Sequence, residues 1–207
     1  MSKSYFITGI GTNVGKTLAA AIMTEALMAD YWKPVQAGDL ENSDTIRVRK
    51  LVSNEKTVFH SEGISLTHPM SPHAAAAIDG VKISAKKILR PQTDNDIIIE
   101  GAGGLLVPIN NKETIADLIN PEDLIILVSR NYLGSINHSL LSLEVLKSRG
   151  LKCFGIIFNG EPNQASKEVI LKMSGAREIG RIEEEPYFDR NVVKEYAETF
   201  RQNLLQL

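Results

Sequence analysis

Short runs of consecutive apolar residues predict strands that are buried on both faces. These runs cover residues 97–99, 124–128 and 153–158, and each is followed by polar or glycine residues. Runs without polar alternation are typical of parallel strands that helices cover on both sides. A shorter run at residues 5–7 predicts a further strand near the start of the chain.

Apolar residues at helical spacing predict helices between the strands. In residues 135–149, Ile136, Leu140 and Leu143 share one face, and Gly150 follows as a stop. Other helices are predicted over residues 16–29, 165–173 and 192–205, from Ser43, and in short segments at 73–78 and 85–89. Strands that alternate with helices predict an α/β fold, a wound and mainly parallel β-sheet flanked by helices.

Two segments fit this alternation less clearly. Residues 31–35 are interpreted as one short strand with Pro34 near its edge or end. Residues 51–72 show no period and carry Gly63 and two prolines, so we expect irregular structure there.

Composition narrows the class of protein. The 207 residues favour one domain over residues 1–207, and 23 basic against 25 acidic residues without a basic cluster predict no nucleic-acid surface. No apolar run reaches the ~18 residues of a membrane span, and no leader precedes the first strand, so we expect a soluble cytoplasmic protein. Cys153 is the only cysteine and is predicted to be a buried strand residue.

Residues 5–17, YFITGIGTNVGKT, run from a strand through a glycine-rich loop into a helix. Such a loop can surround a phosphate with backbone N–H groups, and we expect Lys16 to lie along the β- and γ-phosphates and the Thr17 hydroxyl to ligate Mg²⁺. Five residues separate Gly9 from Gly15 instead of the usual four, which points to a divergent P-loop subgroup. The alternative is a strand-to-helix turn whose glycines merely supply positive φ.

Polar residues at the predicted carboxyl ends of the strands form the candidate site, because ligands of such sheets bind there. Glu100 follows three isoleucines and is a candidate for the Mg²⁺ shell. Asp44 is either a second metal carboxylate or a helix N-cap. Lys33 is either a site residue at a strand end or an ordinary surface lysine. Asn159 and the turn at 129–135 complete the set.

Seven segments in a fixed order resemble the dethiobiotin synthetase family. They are TGIGTNVGKT at 8–17, KPVQAG at 33–38, NSD at 42–44, MSPH at 70–73, EGAGGLLVPI at 100–109, LGSINH at 133–138 and GIIFNG at 155–160. The resemblance covers residues 1–160 and implies an ATP-dependent cyclo-ligase of biotin biosynthesis. In that reaction 7,8-diaminononanoate captures CO₂ as a carbamate, ATP converts this to a carbamic–phosphoric anhydride, and ring closure releases dethiobiotin, ADP and phosphate.

The resemblance also implies roles for individual residues. The catalytic contacts to phosphate or carbamate are assigned to Thr12, Lys16 and Lys33. The Mg²⁺ ligands are Thr17, Asp44 and Glu100. The implied ATP contacts are Asn13, Val14, Gly15, Lys16, Thr17, Leu18, Asp44, Glu100, Gly101, Ala102, Gly103, Asn159 and Gly160.

Substrate contacts are implied at Lys33, Ala37, Gly134 and Ser135. The last two begin a helix that receives the substrate carboxylate from the second subunit of a homodimer, which would place the active site at the interface. Ala37 departs from the Ser or Thr common in the family, so a substrate hydrogen bond is either missing or supplied by Gln36. The family's Gly-x-Ile-Pro is also replaced by GRIE at 180–183, and the connection before Trp32 is short.

Three alternative functions follow from the same motifs. A partitioning or cell-division ATPase has the same fold but carries a signature lysine where this chain has Gly11. A ligase acting on a corrinoid acid usually adds a glutamine-hydrolysing domain, for which 207 residues leave no room. A homologue that binds nucleotide without turnover is the third, and the presence of Lys16, Thr17, Lys33, Asp44 and Glu100 argues against it.

Overall fold

The computed structural model describes residues 2–205, and within them six parallel strands form the central sheet. Along the chain the strands are β1 (Ser4–Gly9), β2 (Asp30–Trp32), β3 (Val35–Ala37), β4 (Ile64–Leu66), β5 (Ile97–Gly104), β6 (Leu124–Arg130), β7 (Cys153–Asn159) and β8 (Glu178–Ile182). The sheet order is β2-β5-β1-β6-β7-β8, while β3 and β4 pair separately. The predicted wound, parallel sheet is confirmed.

Helices cover both faces of the sheet. They are α1 (Lys16–Leu27), α2 (Asp44–Leu51), α3 (Pro72–Ile78), α4 (Ser135–Ser148), α5 (Gln164–Ser174) and α6 (Arg190–Leu204), with 3-10 turns at Leu40–Asn42, Ala85–Lys87 and Ile115–Leu118. The helices α1, α2 and α6 pack on one face, and α3, α4 and α5 pack on the other. Within the described part of the chain, no helix has the length and apolar composition needed to cross a bilayer.

Strand β5 shows why the apolar runs lack alternation. Ile98 packs into the cluster under α1 and α6, whereas Ile97 and Ile99 pack into the cluster on the opposite face. Successive side chains of a strand point to opposite faces, so a strand covered twice must be apolar at every position. The sequence pattern is therefore a direct consequence of the layered architecture.

The predicted single strand at residues 31–35 is wrong. Residues Asp30–Trp32 pair with β5 in the main sheet, whereas Val35–Ala37 pair with β4 in a second sheet. Pro34 has no N–H to donate to a ladder, so pairing stops there and the chain changes sheet. The partner β4 also lies in the segment 51–72 that was expected to be irregular.

Other differences concern boundaries. Strand β8 was missed, because the five residues EIGRI are interrupted by a glycine and carry two charges. The helix expected at 85–89 is a 3-10 turn, and its flanking Ser84 makes no capping hydrogen bond. Cys153 lies in β7 as expected but is half-buried, and burial raises the pKa of its thiol to about 11.

The buried carboxylate of Glu25 ties the end of α1 to the chain that follows α2. It accepts hydrogen bonds from the backbone N–H groups of Ser53 and Asn54, at 2.7 and 3.1 Å, and from both of their side chains. Burial alone would raise the pKa of Glu25, but these hydrogen bonds outweigh it and lower the pKa. The folded protein therefore favours the ionised form.

We expect Glu25→Gln to lower stability by roughly 1–3 kcal/mol near neutral pH, because charge-assisted hydrogen bonds become neutral ones. Since the folded pKa of Glu25 lies below the unfolded one, its contribution is present above about pH 4.3 and is lost as pH falls through the folded pKa. The stability difference between wild type and variant, measured by urea unfolding, should shrink with acidification. The exposed neighbour Glu55 supplies the control Glu55→Gln. A pH-independent difference would contradict the assigned role.

Candidate active site

The loop between β1 and α1 has the backbone shape of an anion cradle. Asn13 and Gly15 take positive φ angles of 57° and 97°, and Gly15 directly precedes α1. A Cβ atom on Gly15 would collide with Nδ2 of Asn159. Lys16 folds back over the loop, where its Nζ donates to the carbonyl of Gly11 at 2.8 Å. Gly15 thus has a backbone conformation that other residues rarely adopt, and a side chain there would displace the amide of Asn159.

A buried cluster of charges lies beside this loop. Nζ of Lys33 is 2.6 Å from Oδ2 of Asp44 and 3.0 Å from Oε1 of Glu100, and it also donates to the carbonyl of Gly101 at 3.2 Å. The hydroxyl of Thr17 lies 3.1 Å from Oδ1 of Asp44 and 2.9 Å from Oε1 of Glu100. Lys33 is 2% exposed, so the surface interpretation of this lysine is wrong.

The two carboxylates are presented by different elements. Glu100 lies inside β5 rather than after it, opposite Ile7 of β1 in the parallel register. Asp44 is the first residue of α2, and Ser43 is the N-cap, with its hydroxyl accepting from the N–H of Ile46. The alternative interpretation of Asp44 as the cap is therefore wrong, and its carboxylate is free to face Thr17 and Lys33.

The electrostatics of the cluster follow from burial and proximity. Burial, and then repulsion from Lys33, lowers the pKa of Lys16 to about 8. Burial would also lower the pKa of Lys33, but attraction to Glu100 and Asp44 raises it. Burial raises the pKa of Glu100 against the effect of Lys33. Burial would raise the pKa of Asp44, but the charge of Lys33 together with the hydrogen bonds from Lys33 and Thr17 lowers it.

A cavity of about 740 Å³ opens onto this cluster. The predicted site residues that line it are Thr12, Asn13, Gly15, Lys16, Thr17, Leu18, Lys33, Ala37, Asp44, Glu100, Ala102 and Gly103. Segments separated by up to about ninety positions in sequence therefore meet around one space. Its volume is within the usual range of small-molecule and cofactor sites.

The remaining predicted residues lie outside that cavity. Val14 and Gly101 are buried behind its wall. Asn159, Gly160 and Ser135 line a smaller neighbouring cavity at the ends of β6 and β7. Nδ2 of Asn159 donates to the carbonyl of Val14 at 2.9 Å, which connects this region to the loop. Gly134 is an exposed N-cap of α4 with a φ angle of 101°.

The contacts of Tyr31 and Gln36 with the two carboxylate residues were not predicted from the sequence. Tyr31 is fully buried, and its hydroxyl donates to Oε2 of Glu100 at 2.7 Å. Burial, and then the charge of Glu100, raises the pKa of Tyr31 well above its usual range, so the hydroxyl keeps its proton. Gln36 accepts the N–H of Asp44 at 3.2 Å. Polar groups inside the apolar segment 31–36 were the available signal. From the sequence, Lys33 was assigned to the site and Gln36 only to a possible substrate hydrogen bond.

The donor atoms of this cluster fit a magnesium ion. Thr17, Asp44 and Glu100 contribute a hydroxyl and two carboxylates, and hard oxygen ligands of this kind are those that Mg²⁺ prefers. Lys33 contacts one oxygen of each of these carboxylates, so a metal ion would share the two carboxylates with this ammonium group.

Comparison with known proteins adds the family. A family model described as "AAA domain" matches residues 3–192. The ATP-dependent dethiobiotin synthetase BioD of Christiangramia forsetii is 63% identical over 207 residues, which cover 100% of each chain. The chain belongs to the dethiobiotin synthetase family. The protein of the same name from Cytophaga hutchinsonii is 49% identical over 94% of this chain and 95% of its own length.

Solved structures of lower identity show the fold. The cell division ATPase MinD of Pyrococcus furiosus superposes with a TM-score of 0.67 at 13% identity, covering 100% of this chain and 99% of MinD. A MinC:MinD complex from Aquifex aeolicus gives 0.63 at 17% identity, covering 100% and 96%. The fold is thus shared with the cell-division ATPases, whereas the sequence relationship is to dethiobiotin synthetases.

We expect Gly15→Ala to weaken ADP binding at least about tenfold, because the left-handed conformation is strained and the new Cβ would collide with Asn159. Gly175→Ala is the matched control, since Gly175 also has positive φ but a Cβ there meets no atom within 4 Å. Fluorescence titration with a labelled ADP would measure the affinity of each variant. Equal affinities for the two variants would show that the contact with Asn159 has no part in nucleotide binding.

Proposed function

We propose that this chain closes a ureido ring on 7,8-diaminononanoate with CO₂ and ATP, through a carbamate and a carbamic–phosphoric anhydride. Membership of the family makes the chain an ATP-dependent ligase of dethiobiotin synthesis, and the route through these two intermediates is our inference. The observation that supports this proposal is that the phosphate loop and the buried Lys33–Asp44–Glu100 cluster line the same cavity.

The proposed reaction has three steps. A neutral amine nitrogen attacks the carbon of CO₂, and loss of a proton leaves a carbamate. A carbamate oxygen then attacks the γ-phosphorus of ATP, and ADP leaves. The second amine attacks the carbamate carbon, the ring closes with loss of a proton, and phosphate departs. The products are dethiobiotin, ADP and phosphate.

The second step brings two anions together, so the site must supply positive charge where charge develops. Lys16 and Lys33 supply it from fixed positions, because each is nearly buried and hydrogen-bonded to backbone carbonyls. Thr12 is an exposed residue at the rim of the same cavity, where its hydroxyl can contact phosphate. A positive charge placed near the substrate amines, as on Lys16 or Lys33, would also favour their neutral form by repulsion.

Thr17, Asp44 and Glu100 would hold Mg²⁺, which when bound neutralises charge on the β- and γ-phosphates. The loop residues Asn13–Leu18, together with 101–103, would surround the nucleotide phosphates. Asn159 and Gly160 would contact the base, and the hydrogen bond from Asn159 to Val14 supports a fixed amide orientation there.

The substrate carboxylate is assigned to the N-terminus of α4, at Gly134 and Ser135. Neither residue lines the main cavity of its own chain, which supports a homodimer in which the partner supplies this helix. Leu133 is fully exposed beside it, and Tyr132 is also exposed, so an apolar surface suited to a subunit contact adjoins the assigned residues. A single domain over residues 1–207 and a cytoplasmic location complete the proposal.

Ala37 lines the cavity without a hydroxyl. Gln36 lines it too: its Oε1 accepts the Asp44 N–H and one N–H of its Nε2 donates to the Gly38 carbonyl, so the second N–H of Nε2 remains a candidate donor to the substrate. We infer that the substrate is held here without a side-chain hydrogen bond from position 37.

The deciding experiment measures phosphate release from Mg-ATP in bicarbonate buffer, with and without 7,8-diaminononanoate, while product mass is followed. We expect phosphate release that depends on the diamine, together with the mass of dethiobiotin. ATP consumption that is equal without the diamine, or absent with it, would refute the ligase assignment and favour a nucleotide-driven binding protein.

Two lysine variants separate the assigned roles. Lys33→Ala should reduce turnover at least about a hundredfold while ATP binding is largely retained, because Lys33 acts on the developing charge. Lys16→Ala should weaken both. The control is Lys50→Ala, an exposed lysine of α2. Steady-state rates and calorimetric ATP binding give the readouts, and near-normal turnover by Lys33→Ala would remove Lys33 from the mechanism.

A further inference from the structure

The two oxygens of the Glu100 carboxylate have separate partners. Oε1 faces Thr17 and Lys33, at 2.9 and 3.0 Å. Oε2 accepts the hydroxyl of Tyr31 at 2.7 Å, on the side away from Thr17. Tyr31 and Glu100 are 0% and 1% exposed, so water does not compete for this bond. The carboxylate is therefore fixed in rotation by a residue that does not line the cavity.

Asp44 is held in a comparable way through its backbone. Its N–H donates to Oε1 of Gln36 at 3.2 Å, while Nε2 of Gln36 donates to the carbonyl of Gly38 at 2.9 Å. Gln36 is 5% exposed. The side chain of Asp44 keeps both oxygens for Thr17 and Lys33. Gln36 thus anchors the first residue of α2 without occupying its carboxylate.

We propose that Tyr31 and Gln36 are positioning residues of the metal–nucleotide site, Tyr31 acting through Glu100 and Gln36 acting through Asp44. The inference rests on the assignment of these carboxylates as metal ligands in the proposed function. It makes the segment 31–36 a unit, because Lys33 lies between the two residues and contacts both carboxylates.

The physical basis is the cost of an unpaired buried acceptor. Without the Tyr31 hydroxyl, Oε2 of Glu100 would lose a donor in a site closed to water, which favours rotation of the carboxylate toward Thr17 or Lys33. Either rotation would change the oxygen offered to a metal. Hydrogen bonds to the far side of metal ligands typically alter metal affinity by about 10–100-fold when removed.

A purely structural role for Tyr31 is the competing explanation. Its ring packs in the core under α1 and lies 6.0 Å from the ring of Phe59, so its removal could simply loosen the fold. Trp32, the next residue of β2, provides the matched comparison. It is 3% exposed, packs in the opposite core, and donates its indole N–H to the carbonyl of Ser61 at 3.1 Å. Trp32→Phe also removes one hydrogen bond, a partly buried one, but none to a carboxylate.

The test uses Mn²⁺ as a paramagnetic substitute for Mg²⁺ and ADP as the nucleotide. Mn²⁺ affinity of the ADP complex is measured by electron paramagnetic resonance for wild type, Tyr31→Phe, Gln36→Met and Trp32→Phe. ADP affinity without metal is measured separately in excess chelator, and thermal unfolding checks that each variant is folded. We expect Mn²⁺ binding to be about tenfold weaker for Tyr31→Phe and Gln36→Met, and to change by less than about twofold for Trp32→Phe. The affinity for ADP without metal should be unchanged in all three variants.

A double-mutant cycle identifies the route of each effect. In a Glu100→Gln background, Tyr31→Phe should cost no further Mn²⁺ affinity, whereas Gln36→Met should still weaken it. Three results would overturn the inference. They are an equal loss of Mn²⁺ affinity in Trp32→Phe, a parallel loss of ADP binding without metal, and unchanged Mn²⁺ affinity in Tyr31→Phe and Gln36→Met.

Failure of the proposed function gives a different result. These measurements need no diamine, so an enzyme that binds Mn-ADP as expected but forms no dethiobiotin would refute the ligase assignment and leave the positioning roles intact. Wild-type protein that binds ADP but no Mn²⁺ would overturn the positioning roles, whatever product it forms.

Discussion

The buried contact of Lys33 with Asp44 and Glu100 is the constraint on which the rest of the site depends. A lysine or a glutamate cannot be buried alone without a large desolvation cost, and each is tolerated here because the others are present. The three residues come from the chain after β2, from the first residue of α2 and from within β5. None of these three charged side chains can therefore be buried at low cost until the three elements have assembled.

The break at Pro34 gives this cluster its shape. Strand β2 pairs with β5 as far as Trp32, and the chain then leaves the sheet edge and pairs with β4. Lys33 lies at the departure point, where its ammonium reaches the carboxylates instead of solvent. Tyr31 and Gln36, on either side of it, contact Glu100 and the backbone of Asp44. A regular strand that continued from residue 31 to residue 36 would have placed Lys33 and Gln36 on opposite faces of the sheet edge.

Regular patterns in the chain predicted the architecture well where neighbouring residues carry the information. The apolar runs of β5, β6 and β7 and the spacing of apolar residues in α4 identify those elements, because burial on two faces or on one stripe leaves a local signature. Strand β8 left none, since its five residues include Gly180, against which the ring of Phe200 packs so closely that a Cβ would approach it to 2.5 Å. That close approach depends on α6, which follows later in the chain.

The sequence by itself determined the parts of the site that are contiguous. The glycine-rich loop, Lys16 and Thr17 are adjacent in the chain, so their order alone predicts a phosphate-binding loop. The ordered segments up to residue 160 predict the family. Tertiary structure decided which distant polar residues share a space. That Lys33 is buried against Glu100, and that Tyr31 and Gln36 contact Glu100 and the backbone of Asp44, depend on contacts across 8 to 69 positions. Such contacts have no period or spacing, because they arise only when the packed sheet brings separate strand ends together.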